Sequence, residues 1–332
     1  MVNGLVPIKR CLFRFVLFAL LAWAANPSAA FAAETLRLGY SGSTPTQLAG
    51  ALAIEHKLFD IYGVHVELTQ SAGTTMIRAL DAKSLDVAIV GGGQALSAYL
   101  KGLEMRIIGG LVNMAPYQLW AKPEITQVKD LKGKMIANTP PGTSLNLAAA
   151  ILMQRLGFDA QRDVKLIAFG RIGLISQSLF TGVVDAALLS APENLEARKM
   201  GMRMLVDLTT TRVACPFTSV VTTRAVLEKS PAALERFLKG IMHGVKLVLT
   251  QPDLAKKTIG RNLRLTDAEA IDEVYQRLVT TYERMPMVPR ESIETVVKLS
   301  PTPPSRNPFG VLDMSLLERI DREGFTRSLY PK

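Results

Sequence analysis

The sequence contains few of the residues that enzyme active sites most often use. Two cysteines and three histidines occur in 332 residues, and His56, His65 and His243 are scattered. They lack the spacing of metal ligands. The chain has no nucleophile elbow, and its Gly91-Gly92-Gly93 run lacks the lysine and spacing of a P-loop. These absences argue against metal-dependent, serine-hydrolase and nucleotide-hydrolysing enzymes.

Long apolar runs are also scarce, and the one that is present lies at the N-terminus. Lys9, Arg10 and Arg14 precede an unbroken apolar run at 15–25, and Ala30-Phe31-Ala32 offers small residues where signal peptidase requires them. This pattern predicts a secretory signal peptide at residues 1–32 that is too short to span a membrane permanently. We therefore expect an exported, soluble mature protein.

Cleavage of the signal peptide would leave a single cysteine. Cys11 lies ahead of the apolar run, so it is not a lipoprotein cysteine, and Cys215 is the only other one. The mature chain therefore has no internal disulfide, although it enters an oxidising compartment, and its stability must come from its core. Cys215 precedes Pro216 with no recognisable base beside it, which favours a buried structural thiol over a nucleophile.

The chain is basic but carries no concentrated positive patch. Removing three cations and no acids with the signal peptide lowers the formal charge from +10 to +7. Such a charge suits either a basic surface on an exported protein or a preference for anionic ligands. The lysines and arginines are dispersed and no nucleic-acid-binding motif accompanies them, so we expect no nucleic-acid partner.

A pattern of loop, helix and buried strand occurs twice at a nearly constant offset. Gly73 and Gly173 are 100 residues apart, and Asp86 and Asp185 are 99 apart. The pair Met105-Arg106 returns at Met202-Arg203 after 97 residues. A constant offset over several elements predicts two units of the same topology. Two repeats are too few for a solenoid, so we expect two similar α/β lobes.

The alternation of strands and helices predicts parallel, doubly wound sheets. Two long extended runs, one ending near Trp120 and one around Phe217, are placed to carry the chain between lobes. The first lobe would then be discontinuous, with residues 33–117 and 218–332, and the second would contain 118–217. The hinges would lie near 113–117 and 217–218.

In open α/β sheets the ligand site lies beyond the carboxyl ends of the strands, where helices begin. The loops at those ends are rich in Ser, Thr and Gly and poor in acids, so their free backbone N–H groups could hold an anion. The alternative is that each hydroxyl only caps its own helix. The candidate ligand-binding residues are Ser41, Thr44, Thr46, Gln47, Thr74, Thr75, Gly92, Gln94, Asn113, Thr143, Ser144, Arg171 and Glu193.

Two charged residues in these loops each allow two roles. Arg171 could pair with a ligand carboxylate or sulfonate, or it could be solvated. Glu193 is interpreted first as a charge at a helix N-terminus and second as a contact to a ligand amine. Tyr40 and Tyr117 could form a wall of the cleft, whereas core packing is the better interpretation of Trp120.

At this point the sequence resembles the periplasmic substrate-binding proteins of nitrate, sulfonate and taurine ABC transporters, a family that includes binders of thiamine-pyrimidine precursors. The resemblance covers nearly the whole mature chain. It rests on 55–59 (EHKLF), 85–88 (LDVA), Lys101-Gly102, 130–134 (DLKGK), 182–186 (GVVDA) and Leu312-Asp313. The cysteine-rich motif of the related pyrimidine synthases is missing.

The resemblance implies a type II periplasmic-binding-protein fold, with two lobes that hinge shut on a small molecule and present it to a membrane permease. No cofactor and no catalytic residue is expected. The ligand could be a sulfonate, nitrate, a carboxylate or a neutral heterocycle. Two other functions stay open: a periplasmic ligand-sensing component of a signalling system, and a thiamine-pathway-like enzyme.

Overall fold

Two five-stranded sheets form the framework of the molecule. The computed structural model describes residues 34–331, apart from 42, 43, 142, 160, 161, 171, 212 and 300–302. Within these ranges there are ten strands: β1 Glu34–Tyr40, β2 Val64–Gln70, β3 Val87–Val90, β4 Met105–Met114, β5 Gln118–Ala121, β6 Met135–Asn138, β7 Lys165–Ala168, β8 Ala186–Leu189, β9 Arg203–Asp207 and β10 Ala214–Thr223.

The helices alternate with the strands through the first two thirds of the chain and then follow one another without strands. Three short 3-10 turns, Pro45–Gln47, Val128–Leu131 and Pro308–Val311, accompany them. The α-helices of the described ranges are α1 Leu48–Glu55, α2 Leu58–Ile61, α3 Gly73–Asp81, α4 Gly92–Leu100, α5 Ser144–Arg155, α6 Ile172–Phe180, α7 Glu193–Lys199, α8 Leu208–Thr211, α9 Arg224–Lys229, α10 Pro231–Thr250, α11 Pro252–Leu263, α12 Ala268–Thr281, α13 Arg290–Lys298, α14 Ser315–Arg322 and α15 Phe325–Leu329.

The two sheets have the same strand arrangement. Their orders are β2-β1-β3-β10-β4 and β7-β6-β8-β5-β9, so each strand of the first sheet has a counterpart in the second. β1 runs parallel to β3, and β6 runs parallel to β7 and β8. The two similar α/β lobes predicted from the repeated pattern are therefore confirmed.

The alternation of strands and helices predicted parallel sheets. Both sheets are instead mixed, with one strand in each that runs antiparallel to its neighbours. β10 is antiparallel to β3 and β4, and β5 is antiparallel to β8 and β9. Each of these strands belongs to a segment that arrives from the other sheet, and it enters its sheet from the opposite end. An antiparallel strand in a mixed sheet needs no crossover helix.

The repeated aspartates perform the same structural task in both sheets. Asp86 precedes β3 and accepts a hydrogen bond from the backbone N–H of Arg37 at 2.9 Å, and its other carboxylate oxygen accepts one from the guanidinium at 2.7 Å. Asp185 precedes β8, accepts from the backbone N–H of Met135 at 2.9 Å and pairs with Lys122 at 2.9 Å. Each carboxylate thus anchors the start of one strand to its neighbour.

The C-terminal helices pack over the first sheet around α10. The helical spacing of four apolar residues puts them on one face of this helix, and all four are fully buried: Leu234, Phe237, Leu238 and Ile241. Phe237 stacks on Phe59 with ring centroids 4.6 Å apart. A Cβ atom on the helical residue 244 would clash with the backbone of α1, so glycine is required for this close approach.

The start of α12 differs in detail from what its sequence predicts. The sequence of 266–269 (TDAE) predicts a capping box with Thr266 as the cap and Glu269 as its partner. Instead Asp267 is the N-cap of α12, and its side chain accepts a hydrogen bond from the backbone N–H of Glu269 at 2.9 Å. Aspartate is as good an N-cap as threonine, so a cap one residue later than predicted costs no stability.

Some predictions fall outside the described residues. These are the signal peptide at 1–32 with Cys11, and the candidate ligand-binding residue Arg171. Among the helices of the described ranges, none combines the length and apolar character that crossing a bilayer requires. The lobe boundaries and the two hinges stay predictions.

The shared role of the two aspartates leads to a prediction about stability. Burial opposes ionisation of Asp86, but hydrogen bonds from Arg37 outweigh it, and the pKa of this carboxyl lies below its usual value. Asp86→Asn should therefore lower the free energy of unfolding by about 1–2 kcal/mol at neutral pH. The loss should shrink as the pH falls through the native pKa, because protonation of the wild-type carboxyl removes the same stabilisation.

Chemical denaturation of the wild type and the variant at several pH values measures this difference. Asp81→Asn, at an exposed aspartate without a hydrogen bond in the described structure, is the matched control and should change stability by less than about 0.5 kcal/mol. Equal stability of Asp86→Asn and the wild type at neutral pH would contradict the anchoring role.

Candidate functional site

A cleft of about 820 Å³ lies among the described residues. Residues that follow strands of both sheets line it, together with residues of α11 and α12. The lining residues are Ser41, Thr44, Pro45, Thr46, Gln70, Pro116, Tyr117, Gly173, Ser190, Ala191, Pro192, Glu193, Phe217, Arg261, Asn262, Leu263, Arg264, Leu265, Val274, Arg277, Leu278 and Thr281.

The topology explains why these residues meet. Ser41 and Thr44 follow β1, Gly173 lies in the first turn of α6 after β7, and Glu193 begins α7 after β8. Parallel strands bring such loops to one edge of each sheet, the usual place for a ligand site in α/β folds. The cleft therefore lies beside strand ends at which a ligand site was predicted, and ligand binding there stays a prediction.

An aromatic pair forms one wall of the cleft. Tyr117 lies in the segment that leads from the first sheet to the second, and Phe217 lies in β10, which returns to the first. Their rings meet edge to face, with centroids 5.6 Å apart, and both side chains are largely buried. Trp120, predicted to be a core residue, is buried within β5 and donates its ring N–H to Gln118.

Four of the predicted ligand-binding residues line this cleft: Ser41, Thr44, Thr46 and Glu193. The hydroxyl of Ser41 lies 3.1 Å from that of Thr44, and the hydroxyl of Thr46 lies 2.8 Å from that of Thr218. The hydroxyl of Tyr282 donates to the backbone carbonyl of Thr46 at 2.9 Å. These hydrogen bonds fix the position of the turn that follows β1.

Other predicted residues have structural partners. Gln47 is buried; its amide donates to the carbonyl of Ile89 at 2.9 Å and its oxygen accepts from the hydroxyl of Ser41 at 2.8 Å. Asn113 donates to the carbonyl of Met287 at 2.7 Å. Thr143 caps α5, because its hydroxyl accepts from the backbone N–H of Asn146 at 3.2 Å. The hydroxyl of Thr143 therefore caps its own helix, which is the alternative to ligand binding that the sequence left open.

Most of the remaining candidates lie where α3, α4 and α5 begin. A Cβ atom at Gly91 would lie 2.5 Å from the hydroxyl oxygen of Ser144, which shows how closely these two helix starts approach. Gly92 is buried, and the side-chain oxygen of Gln94 is buried without a hydrogen-bond partner. Thr74 and Thr75 are exposed in the first turn of α3. None of Gly92, Gln94, Ser144, Thr74 and Thr75 lines the cleft, and Arg171 lies outside the described residues.

Sequence reasoning missed the contribution of the C-terminal helices. The end of α11 and one face of α12 close one side of the cleft with Arg261, Arg264 and Arg277 among other residues. The helical periodicity of this region is visible in the sequence, but periodicity does not tell which sheet a helix packs against. The local irregularity in this region is the left-handed backbone conformation of Arg264, the residue at which α11 ends.

The three arginines differ in how they are paired. Arg261 pairs with Glu55, and Arg277 pairs with Glu273 at 2.9 Å and with Asp207 at 3.4 Å. Arg264 is exposed and has no ion-pair partner among the described residues. Two of the three cations at the cleft are therefore already neutralised by protein carboxylates.

Glu193 is the acidic residue among those that line the cleft. It has no ion pair and no hydrogen bond from another residue in the described part of the chain. Burial raises the pKa of its carboxyl, its own backbone N–H lowers it, and the nearby charge of Glu196 raises it further, so the pKa lies above its usual value. Burial, with a contribution from the Glu193 charge, also raises the pKa of the Tyr117 hydroxyl, which stays neutral.

A polar cluster links α12 to the second sheet beneath the cleft. Besides its pairing with Arg277, Asp207 accepts a hydrogen bond from the side chain of Gln118 at 2.6 Å. The side-chain amide of Asn194 donates to Glu273 at 2.8 Å. The cluster thus fastens the C-terminal helices to strands β5 and β9 and to the start of α7.

The groups considered for catalysis are not at the cleft. Cys215 is fully buried, as predicted, and burial raises the pKa of its thiol to about 12. His65 lies beside Asp60 on an exposed surface, and His243 hydrogen-bonds Tyr62. In the described residues no group of three His, Cys, Asp or Glu side chains could hold a metal ion.

Comparison with known proteins identifies the family. The model of the NMT1/THI5 like family matches residues 46–255, more than half of the chain. A comparison of the sequence with curated proteins finds no significant match.

Solved structures share the fold at low sequence identity. A protein of Bordetella bronchiseptica RB50 superimposes with a TM-score of 0.74 at 19% identity, over 90% of this chain and 98% of that one. The periplasmic aliphatic sulphonate binding protein SsuA of Escherichia coli gives 0.67 at 19% identity, over 90% and 94%. The alkanesulfonate-binding protein SsuA of Xanthomonas axonopodis pv. citri, bound to MOPS, gives 0.61 at 19%, again over 90% and 94%. The chain therefore belongs to the NMT1/THI5-like family and has the two-lobed α/β fold of periplasmic binding proteins.

Proposed function

We propose that this protein is a periplasmic solute-binding protein that captures a small molecule in the cleft and delivers it to the permease of an ABC importer. The observation that carries the proposal is the cleft itself. Loops of both sheets line it, and its volume of about 820 Å³ lies in the range of small-molecule sites. A site built from two lobes can release its ligand when the lobes separate.

The structural neighbours support a transport role. Two of them are named as sulfonate-binding proteins, and their folds superimpose on nine tenths of this chain. The basic and apolar pattern at residues 1–32 supports export to the periplasm, where such proteins meet their ligands. The proposal includes no chemical step, because the thiol and imidazoles of the described residues lie away from the cleft.

We further propose that part of the ligand is anionic, as a sulfonate or carboxylate would be. Two features of the cleft support this: Gly173 lies in the first turn of α6, where backbone N–H groups are free, and Arg264 carries an unpaired charge at the rim. Both attract negative groups. The hydroxyls of Ser41 and Thr44 supply neutral donors that a sulfonate or carboxylate oxygen can accept from.

Release of the ligand would require the two sheets to move apart. We propose that the hinges lie near 113–117 and 217–218, on the segments that connect one sheet to the other. The polar cluster around Arg277 fastens α12 to the second sheet, so opening would break some of its bonds. A ligand that contacts both lobes stabilises the closed state by its additional contacts there.

Ligand binding in the cleft can be tested by a blocking substitution. A Cβ atom at Gly173 meets no atom within 4 Å, so Gly173→Phe should fold normally while its ring occupies part of the cleft. We expect the affinity for any ligand found in a thermal-shift screen of sulfonates, carboxylates, amines and heterocycles to fall at least about tenfold. Calorimetric titration measures this loss.

Gly170→Phe is the matched control, because Gly170 lies in the same loop with equally open surroundings but does not line the cleft. It should bind as the wild type does. Equal affinity of Gly173→Phe and Gly170→Phe would contradict binding in this cleft. Loss of cellular uptake of the ligand after deletion of the gene would support delivery to a permease.

The polar cluster supports a prediction about the closed state. Arg277→Met leaves Asp207 and Glu273 without their cation and should lower the free energy of unfolding by about 1–2 kcal/mol. It should also increase the radius of gyration of the ligand-free protein in small-angle X-ray scattering, since the link between α12 and the second sheet is weakened.

Arg322→Met, at an exposed arginine without an ion pair in the described structure, serves as the control and should change neither quantity. An unchanged radius of gyration together with unchanged stability in Arg277→Met would show that the cluster does not hold the lobes.

A further inference from the structure

We propose that Glu193 determines the specificity of the cleft by accepting a hydrogen bond from a positively charged or N–H-bearing nitrogen of the ligand. This inference rests on the proposed function, because it names a second chemical feature of the molecule that the cleft would bind. The ligand would carry an amine, amidine or protonated ring nitrogen in addition to any anionic group.

Glu193 lacks a protein partner in a position where a carboxylate is expected to have one. Its side chain lines the cleft, yet it forms no ion pair and no hydrogen bond with another described residue. A carboxylate that is partly removed from water costs free energy unless it is paired. A folded protein retains such a group at a ligand site, where the ligand supplies the missing donor.

Two of the three arginines at the cleft are engaged elsewhere. Arg277 is held by both Glu273 and Asp207, and Arg261 is held by Glu55. The third, Arg264, forms no ion pair with Glu193 in the described structure. The ligand is therefore left to supply the positive group that Glu193 lacks.

A purely structural role for Glu193 explains less. A carboxylate at the start of α7 would interact favourably with the helix dipole, but the exposed Glu196 in the same first turn already supplies that charge. The two carboxylates repel each other, and this repulsion contributes to the raised pKa of Glu193. The second charge at this helix start therefore costs stability that a ligand can restore.

The aromatic wall is consistent with the same ligand chemistry. Tyr117 and Phe217 line the cleft together with Glu193, and the charge of Glu193 acts on the hydroxyl of Tyr117. Aromatic faces attract cations and stack on flat heterocycles. A carboxylate beside an aromatic pair binds a nitrogen-bearing group more readily than it binds a ligand that is only anionic.

The first test needs no ligand. Glu193→Gln removes the unpaired charge and should raise the melting temperature of the ligand-free protein by about 2 °C or more at pH 8. Because the native pKa of Glu193 is raised, the wild type loses stability as the pH rises through the interval between the unfolded and native pKa values. The gain from Glu193→Gln should therefore vanish below about pH 4, where the carboxyl is protonated in both states.

The groups that bear on this titration are Glu196 on the same helix, Tyr117 in the connecting segment and the Arg277–Glu273 pair on α12. Glu196→Gln is the matched control at the exposed carboxylate of the same turn, and it should raise the melting temperature less than Glu193→Gln does. A lower melting temperature for Glu193→Gln at pH 8 would overturn the inference, since it would reveal a structural partner.

The second test measures selectivity with matched pairs of probes. Ethanesulfonate is compared with 2-aminoethanesulfonate, and benzyl alcohol with benzylamine, by calorimetric titration of the wild type and both variants. We expect the amine to bind about tenfold or more tightly in at least one pair. Glu193→Gln should remove this preference, and Glu196→Gln should keep it.

The outcomes separate this inference from the proposed function. Equal binding of amine and non-amine probes, or a preference that survives Glu193→Gln, would overturn the role of Glu193 while leaving a binding protein. If no probe binds and Gly173→Phe leaves the affinity for every ligand of the broader screen unchanged, the cleft itself is refuted as the binding site. The melting test then still decides whether Glu193 is an unpaired charge.

Discussion

The architecture depends on one constraint: each sheet is completed by a strand that comes from the other half of the chain. β5 enters the second sheet from the first, and β10 returns to the first sheet from the second, each antiparallel to its neighbours. The connecting segments therefore lie side by side between the sheets. This arrangement places the loops that follow β1, β7 and β8 around a common space and puts Tyr117 and Phe217 at its wall.

Two of the three arginines that line the cleft are paired with carboxylates, Arg261 with Glu55 and Arg277 with Glu273 and Asp207. Arg264 and Glu193 line the cleft without an ion pair among the described residues. An unpaired group such as Glu193 gives the site selectivity, because a ligand without the matching donor leaves it unsatisfied.

Much of the fold could be predicted from the sequence, because it rests on local patterns and on a repeat. The spacing of Asp86 and Asp185 indicated two units of one topology, and both residues anchor equivalent strands. The antiparallel direction of β5 and β10 could not be predicted, since strand direction depends on where the chain crosses. The same limit applies to the site: the loop around Ser41 was anticipated, but Arg277 reaches the cleft only through the packing of α12.

The most direct measurement is a crystal structure of the protein purified from the organism that produces it, combined with mass spectrometry of the small molecules it retains. We expect a single small molecule in the cleft beside Tyr117 and Phe217. A nitrogen of that molecule should lie within hydrogen-bond distance of a carboxylate oxygen of Glu193. A retained molecule found elsewhere on the protein, with the cleft free of it, would contradict ligand binding in the cleft.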